Sequence, residues 1–104
     1  MSRQIVIHPE AELDLADAYE WYDEQRSGLG EELLLSIEVT LEAIRENPEQ
    51  FPVVHKDVRR ALIRRFPYGV FYLVEKEVVV VLAIFHARRD PKHWQSRSWP
   101  KFPR

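Results

Sequence analysis

Residues 78–85 read Val78-Val79-Val80-Val81-Leu82-Ala83-Ile84-Phe85, eight apolar side chains in succession and mostly β-branched. A helix that spans a bilayer needs roughly 20 apolar residues, so this run is too short to cross a membrane that way. β-Branched side chains favour a pleated backbone. A strand with one wet face would alternate polar and apolar residues, whereas an unbroken run implies burial on both faces. Whatever else the chain does, it must build a sheet around this segment and cover it.

The neighbouring pattern supplies that sheet. Residues 58–66, 69–75 and 78–86 are rich in Val, Ile, Phe and Tyr, and are punctuated by Pro67-Tyr68-Gly69 and Lys76-Glu77, which predicts a three-strand meander. Near the N-terminus, Ile5 and Ile7 flank Val6 in a short strand over 3–8 that Pro9 closes. Pro9 also suits the first turn of a helix, and Glu10, Glu12, Asp14 and Asp17 place negative charge where a helix N-terminus favours it. A helix over 9–25 follows, with a core stripe of Ala11, Leu15, Ala18 and Tyr22. After Ser27-Gly28-Leu29-Gly30, a second helix carries Leu34, Ile37, Leu41 and Ile44 through Asn47, and Pro48 stops it. The expected order is βααβββ. This is an α+β domain in which an antiparallel helical hairpin packs on a small, mainly antiparallel sheet. Residues 1–97 form one domain, with a helical turn near 92–95, and Pro100 and Pro103 argue for an extended tail over 98–104.

Charge follows the same division. The formal net charge of −2 over 104 residues conceals 13 acids against 3 bases in residues 1–52 and 4 acids against 12 bases in residues 53–104. A uniformly basic nucleic-acid binder is disfavoured, and a domain with one acidic and one basic flank is expected. The chain has no cysteine, which excludes thiolate metal sites, thiol nucleophiles and disulfides and fits a reducing compartment. With no signal-peptide pattern at the N-terminus, the cytoplasm is the expected location and no membrane partner is expected.

The basic half holds the candidate chemistry. Alternation in the strand over 58–66 puts Arg60 and Arg64 on one face with Leu62 and Phe66, and Arg59 and Arg65 on the other with Ala61 and Ile63. His86, Arg88, Arg89 and Lys92 cluster at and beyond the end of the apolar strand, followed by Trp94. Together these side chains could form one positive patch for phosphates or acidic protein groups; the plainer reading is a solvated face that balances the acidic helices. His86 beside Arg88 could serve as a proton-transfer group next to phosphate-stabilising cations, or simply make a structural hydrogen bond at a strand end. His8, His55, His86 and His93 are too scattered for a metal motif, and there is no glycine-rich phosphate loop, so neither metal nor cofactor is expected.

Three segments resemble one family. Pro9-Glu10-Ala11-Glu12-Leu13-Asp14-Leu15 after the opening strand, Arg64-Arg65-Phe66-Pro67-Tyr68-Gly69-Val70-Phe71-Tyr72, and above all Val79-Val80-Val81-Leu82-Ala83-Ile84-Phe85-His86-Ala87-Arg88-Arg89-Asp90-Pro91-Lys92-His93-Trp94 resemble ParE-type toxins of the RelE/ParE superfamily of type II toxin–antitoxin modules. The resemblance implies a toxin neutralised by a cognate antitoxin, with which it would form an oligomer. ParE-like members inhibit DNA gyrase by binding, and that reading would make Arg60, Arg88, Arg89, Lys92 and Trp94 target contacts. RelE-like members cleave mRNA on the ribosome, and that alternative would make His86, Arg64, Arg65 and Arg88 catalytic. RelE-like enzymes commonly add a tyrosine or histidine near the C-terminus; this chain has no tyrosine after Tyr72, leaving His86 and His93 for that place. A degenerate, non-toxic binding protein is the third possibility.

Overall fold

The computed structural model describes residues 3–88 and 92–95. Its elements are β1 (Gln4–Ile7), α1 (Pro9–Gln25), α2 (Leu29–Glu46), a short 3-10 turn (Pro48–Gln50), β2 (Val53–His55), β3 (Val58–Leu62), β4 (Tyr68–Glu75), β5 (Val78–His86) and α3 (Lys92–Gln95). The five strands form one sheet in the order β1-β5-β4-β3-β2. β1 runs parallel to β5, and the other pairs are antiparallel. The α+β architecture is thus the one expected, with an additional edge strand, β2. That strand follows Phe51-Pro52 and is only three residues long, too short for its pattern to be distinguished from a loop.

β5 is internal, flanked by β1 and β4, and buried on both faces as its sequence requires. Val79, Val81 and Ile84 enter the core beneath the helices, whereas Val80, Leu82, Ala83 and Phe85 belong to a second apolar cluster with Val58 and Phe71. The alternation skips a step after Val81. The β4–β5 register shifts there, between Phe71 and Tyr72, which leaves one extra residue on β5 and returns Ile84 to the helix side.

The helical hairpin is drawn tight by its turn. Gly28 adopts a left-handed backbone (φ 93°), and the Asp23 carboxylate accepts hydrogen bonds from the amides of Gly28 (3.0 Å) and Gly30 (3.1 Å), capping the start of α2. Gly30 lets the two helices approach closely: a Cβ there would lie 2.8 Å from the Tyr19 carbonyl oxygen. The α1 stripe of Ala11, Leu15, Ala18 and Tyr22 faces the core as expected. On α2 the buried line is Leu33, Ile37, Thr40 and Ile44, so the expected Leu34 gives way to Leu33. Three consecutive leucines at 33–35 fit the helical period in more than one rotation, and packing selects one of them.

β3 ends at Leu62, four residues before the expected boundary at residue 66. Arg65 has φ 73°, which no strand tolerates, and residues 63–67 form a loop closed by the amide of Ile63 donating to the Tyr68 carbonyl (3.0 Å). Phe66 therefore leaves the outer face to which strand alternation would assign it and packs on the helix side against Tyr22, with ring centroids 5.0 Å apart.

Candidate functional site

The basic residues singled out in the sequence gather chiefly at one end of the sheet. β3 and β5 both run antiparallel to β4, so the chain leaves Leu62 and His86 at the edge where β4 begins. Arg64 and Arg65 follow the first exit and Arg88 the second, with only β4 between them, a separation of roughly 10 Å at two strand spacings. Arg64 and Arg65 are loop residues, not members of a strand face as the sequence pattern suggested. Moreover, they line a different cavity from that of His86 and Arg88.

The His86 cavity is a cleft of about 650 Å³ between α1 and the end of β5. β1 pairs with β5 only through Val81, so the later part of β5 lacks a strand on that side, and the Asp14 carboxylate accepts the Ile84 amide at 3.1 Å instead. Asp17 and Trp21 lie on the same wall, one and two helical turns further along, with Trp21 55% exposed. Across from them, the His86 imidazole accepts the Arg88 amide at Nδ1 (3.1 Å), which leaves Nε2 to carry the proton of the neutral ring. Tyr68 is the register partner of His86 and meets it edge to face. Tyr68, Tyr22 and Trp21 continue the contact as an aromatic chain to the cleft mouth. The cleft thus sets an imidazole, a phenol and an exposed guanidinium opposite the Asp14 and Asp17 carboxylates, and carries both signs of charge.

The second cavity is a groove of about 450 Å³ between α2 and the loop after β3. Glu32 governs its end, accepting from Arg65 at 2.8 Å and lying 3.5 Å from Arg26. Arg65 makes that ion pair from a left-handed backbone, in the loop that the Ile63 amide closes on the Tyr68 carbonyl. Arg64 points its charge at the same rim and, among the described residues, makes no hydrogen bond or ion pair.

Arg60 sits on the outer sheet face opposite Phe71, its stem packed over Gly69, where a Cβ would come within 3.0 Å of Arg60 Cγ. Arg59 is structural: its guanidinium donates to the carbonyls of Glu49 (3.2 Å) and Phe51 (2.6 Å). Lys92 is exposed on α3, whereas Arg89 and the side chain of Trp94 lie outside the described residues. Among the described residues, no three His, Asp or Glu side chains converge as a metal site, and no helix is long and apolar enough to cross a membrane.

Sequence reasoning does not place Tyr68, Asp14, Asp17 or Trp21 at a site. Trp21 and Tyr68 read there as core aromatics, because the pairing of Tyr68 with His86 depends on the β4–β5 register. The aspartates read as favourable helix-end charges, and the fold turns Asp14 into the cap of an open strand edge.

Comparison with known proteins agrees with this geometry. Residues 5–91 match the model of the ParE toxin of the type II toxin–antitoxin system parDE. Toxin ParE2 of Mycobacterium tuberculosis, in strains CDC 1551 and H37Rv, is 27% identical over 92 residues, which covers 88% of this chain and 88% of the relative. A solved chain from the chromosomal ParDE TA system of P. aeruginosa superposes with a TM-score of 0.73 at 17% identity, covering 82% of this chain and 96% of the other, a likeness of fold. The chain belongs to the ParE toxin family of type II toxin–antitoxin systems. It is a toxin component, and a cognate antitoxin is its partner.

Proposed function

We propose that this toxin acts in the cytoplasm by binding DNA gyrase and inhibiting it, and that the basic end of the sheet is the contact surface. The observation that carries the reading is the convergence of the β3 and β5 exits, which gathers Arg64 and Arg88 at one edge of a domain whose helices are acidic. Clustered guanidinium groups at such an edge suit an acidic protein surface or a phosphate backbone, both of which a DNA-bound topoisomerase presents. Arg60, Arg89, Lys92 and Trp94 extend the same contact. No bond need be made or broken, and the antitoxin neutralises the toxin by forming a complex with it. Titrating the purified chain into a gyrase supercoiling reaction tests this directly: inhibition supports it, and unaffected supercoiling at concentrations that arrest growth on expression refutes it.

One observation favours a second reading, ribosome-dependent mRNA cleavage. The pattern that the sequence lacked after Tyr72 is partly supplied in space by Tyr68, which stands against His86 beside Arg88. In that reading His86 moves the proton and Arg88 stabilises the phosphate as charge builds, whereas Arg64 and Arg65, which line the other cavity, would contact flanking parts of the RNA. New 5′ ends within the decoding-site codon of ribosome-bound mRNA, lost in His86→Ala, would select this reading over the first.

A further inference from the structure

The His86 cleft holds more than a cationic contact requires. Its α1 wall presents Asp17 and, one helical turn on, Trp21, whose indole stands 55% exposed although tryptophan is highly buried on average. Tyr22 meets Trp21 edge to face, with ring planes at 89°, so the indole is braced from one side while more than half of it stays open. Ala18 also lines the cleft, and its small side chain leaves space between α1 and β5 that a larger one would fill. The facing wall, where β5 ends, presents the His86 imidazole and the Arg88 guanidinium.

Two opposite charges share this space without meeting. Among the described residues, neither the Asp17 carboxylate nor the Arg88 guanidinium makes a hydrogen bond or ion pair. The cleft between them, about 650 Å³, has the size of a small-molecule site. A purely anionic ligand would be repelled by Asp17, and a purely cationic one by Arg88. Both walls are satisfied by a ligand with a planar group carrying N–H donors at one end, to stack on Trp21 and bond Asp17, and an anion at the other end for Arg88. An ionised carboxylate only accepts, so Asp17 also discriminates among nucleobases. Guanine presents two adjacent donors, N1–H and its N2 amino group, which one carboxylate accepts as a pair. Adenine and cytosine set an acceptor beside their amino group, and uracil flanks its single N–H with two carbonyl oxygens. An arginine side chain is also planar with paired donors, but Arg88 would repel it across the cleft, whereas Arg88 attracts the phosphate of a nucleotide.

We propose that the cleft binds a guanine nucleotide, the base stacked on Trp21 with its N1 and N2 donors on Asp17, and the phosphate held by Arg88 and the Nε2–H of His86. The Arg88 amide on His86 Nδ1 and the Tyr68 ring against the imidazole fix that donor in place before a ligand arrives. The assignment goes beyond the reading of this end of the sheet as a gyrase contact and does not depend on it. A free mononucleotide and an unpaired guanine within a single strand offer the same chemistry to these side chains, and the test separates the two sources.

Titration calorimetry on the full chain, with GMP, AMP, CMP and UMP as separate probes, is the test. GMP should bind about tenfold or more tightly than the other three, the discrimination expected of one bidentate pair. Asp17→Asn replaces one acceptor with a donor and should erase that preference while leaving AMP binding as it was. Trp21→Ala should weaken all four nucleotides by about tenfold, and Trp21→Phe should recover part of the loss. Guanosine, which lacks the phosphate, should bind about tenfold more weakly than GMP, and Arg88→Gln should narrow that gap. Asp17, Trp21 and Arg88 are exposed, so the variants fold, as their thermal melts will check. A single-stranded hexanucleotide with one guanine that binds more tightly than GMP upholds the site and assigns it to a strand; one that binds no more tightly upholds it and assigns it to the free nucleotide. No GMP binding at millimolar concentration, equal binding of the four nucleotides, or a preference for GMP that survives Asp17→Asn overturns the proposal. So does tighter binding of free arginine than of GMP, which would assign the Asp17–Trp21 wall to a guanidinium. Failure of the gyrase reading shows instead as unaffected supercoiling, a readout these titrations do not touch.

Discussion

The Tyr68 ring meets the His86 imidazole edge to face, with centroids 5.5 Å apart. The two residues are cross-strand partners where β4 begins and β5 ends, and Tyr22 packs against Tyr68 with centroids 6.0 Å apart. The Arg88 amide occupies His86 Nδ1, so the ring is fixed from two directions and presents Nε2 to the cleft. This relationship separates the two functional readings. If the toxin cleaves mRNA with His86 as acid or base, His86→Ala should lower cleavage by about 10²–10⁴-fold and Tyr68→Phe should have a smaller effect. If it binds gyrase, His86→Ala should leave inhibition of supercoiling near the wild-type level. Parallel cleavage and supercoiling assays on the same preparation check both.

Stability should depend on Tyr72 in a pH-specific way. Its ring is wholly buried, its hydroxyl donates to the Pro48 carbonyl, and burial pushes the phenol up to about 12 from the ordinary 10.0. Above pH 10 the unfolded chain releases this proton while the folded chain retains it. The contribution is therefore complete below about pH 10 and declines as pH rises toward about 12. Tyr72→Phe leaves the buried Pro48 carbonyl without its donor and should cost about 1–3 kcal/mol at neutral pH. It should also flatten the alkaline loss measured by denaturant titration between those pH values.

Gly30→Ala should destabilise the hairpin. The new Cβ would meet the Tyr19 carbonyl oxygen at 2.8 Å and the Tyr19 ring at 3.0 Å, and the neighbouring atom is backbone, which cannot swing aside. Overpacking of this kind costs about 1–3 kcal/mol, against less than about 1 kcal/mol gained from helix propensity. Calorimetry should record a melting temperature lowered by several degrees.

Asp23→Ala removes the single carboxylate oxygen that caps two amides, those of Gly28 and Gly30. The expected loss is about 1–2 kcal/mol, and Asp23→Asn should recover part of it because its amide oxygen can still accept. Urea midpoints for the two variants, compared with wild type, supply the check.

How far the sequence could be read is clearest at β5 and Arg65. Eight apolar residues in a row admit one structural answer, an internal strand, and with it the α+β sheet beneath a helical hairpin. Arg65 shows where such reading stops. Alternation extends β3 across it, but residue 65 sits in a left-handed turn closed by the Ile63 amide on the Tyr68 carbonyl and pairs with Glu32, 33 residues earlier, so Arg64 and Phe66 leave the strand with it. The Tyr68–His86 pair and the role of Asp14 depend likewise on register, which no local pattern carries. The basic residues could be identified from the chain, but their division between a cleft and a groove required the fold.

The central claim is that this ParE-family toxin binds gyrase through the basic end of its sheet. It is tested most directly by comparing Arg88→Glu with Glu38→Lys in a supercoiling assay at fixed gyrase concentration. Arg88 is exposed at the cleft, whereas Glu38 is exposed on α2 and lines neither cavity described above. The account predicts that Arg88→Glu raises the toxin concentration for half-inhibition by about tenfold or more, while Glu38→Lys leaves it near wild type. Equal inhibition by the two variants, or supercoiling unaffected by the wild-type chain, would contradict it.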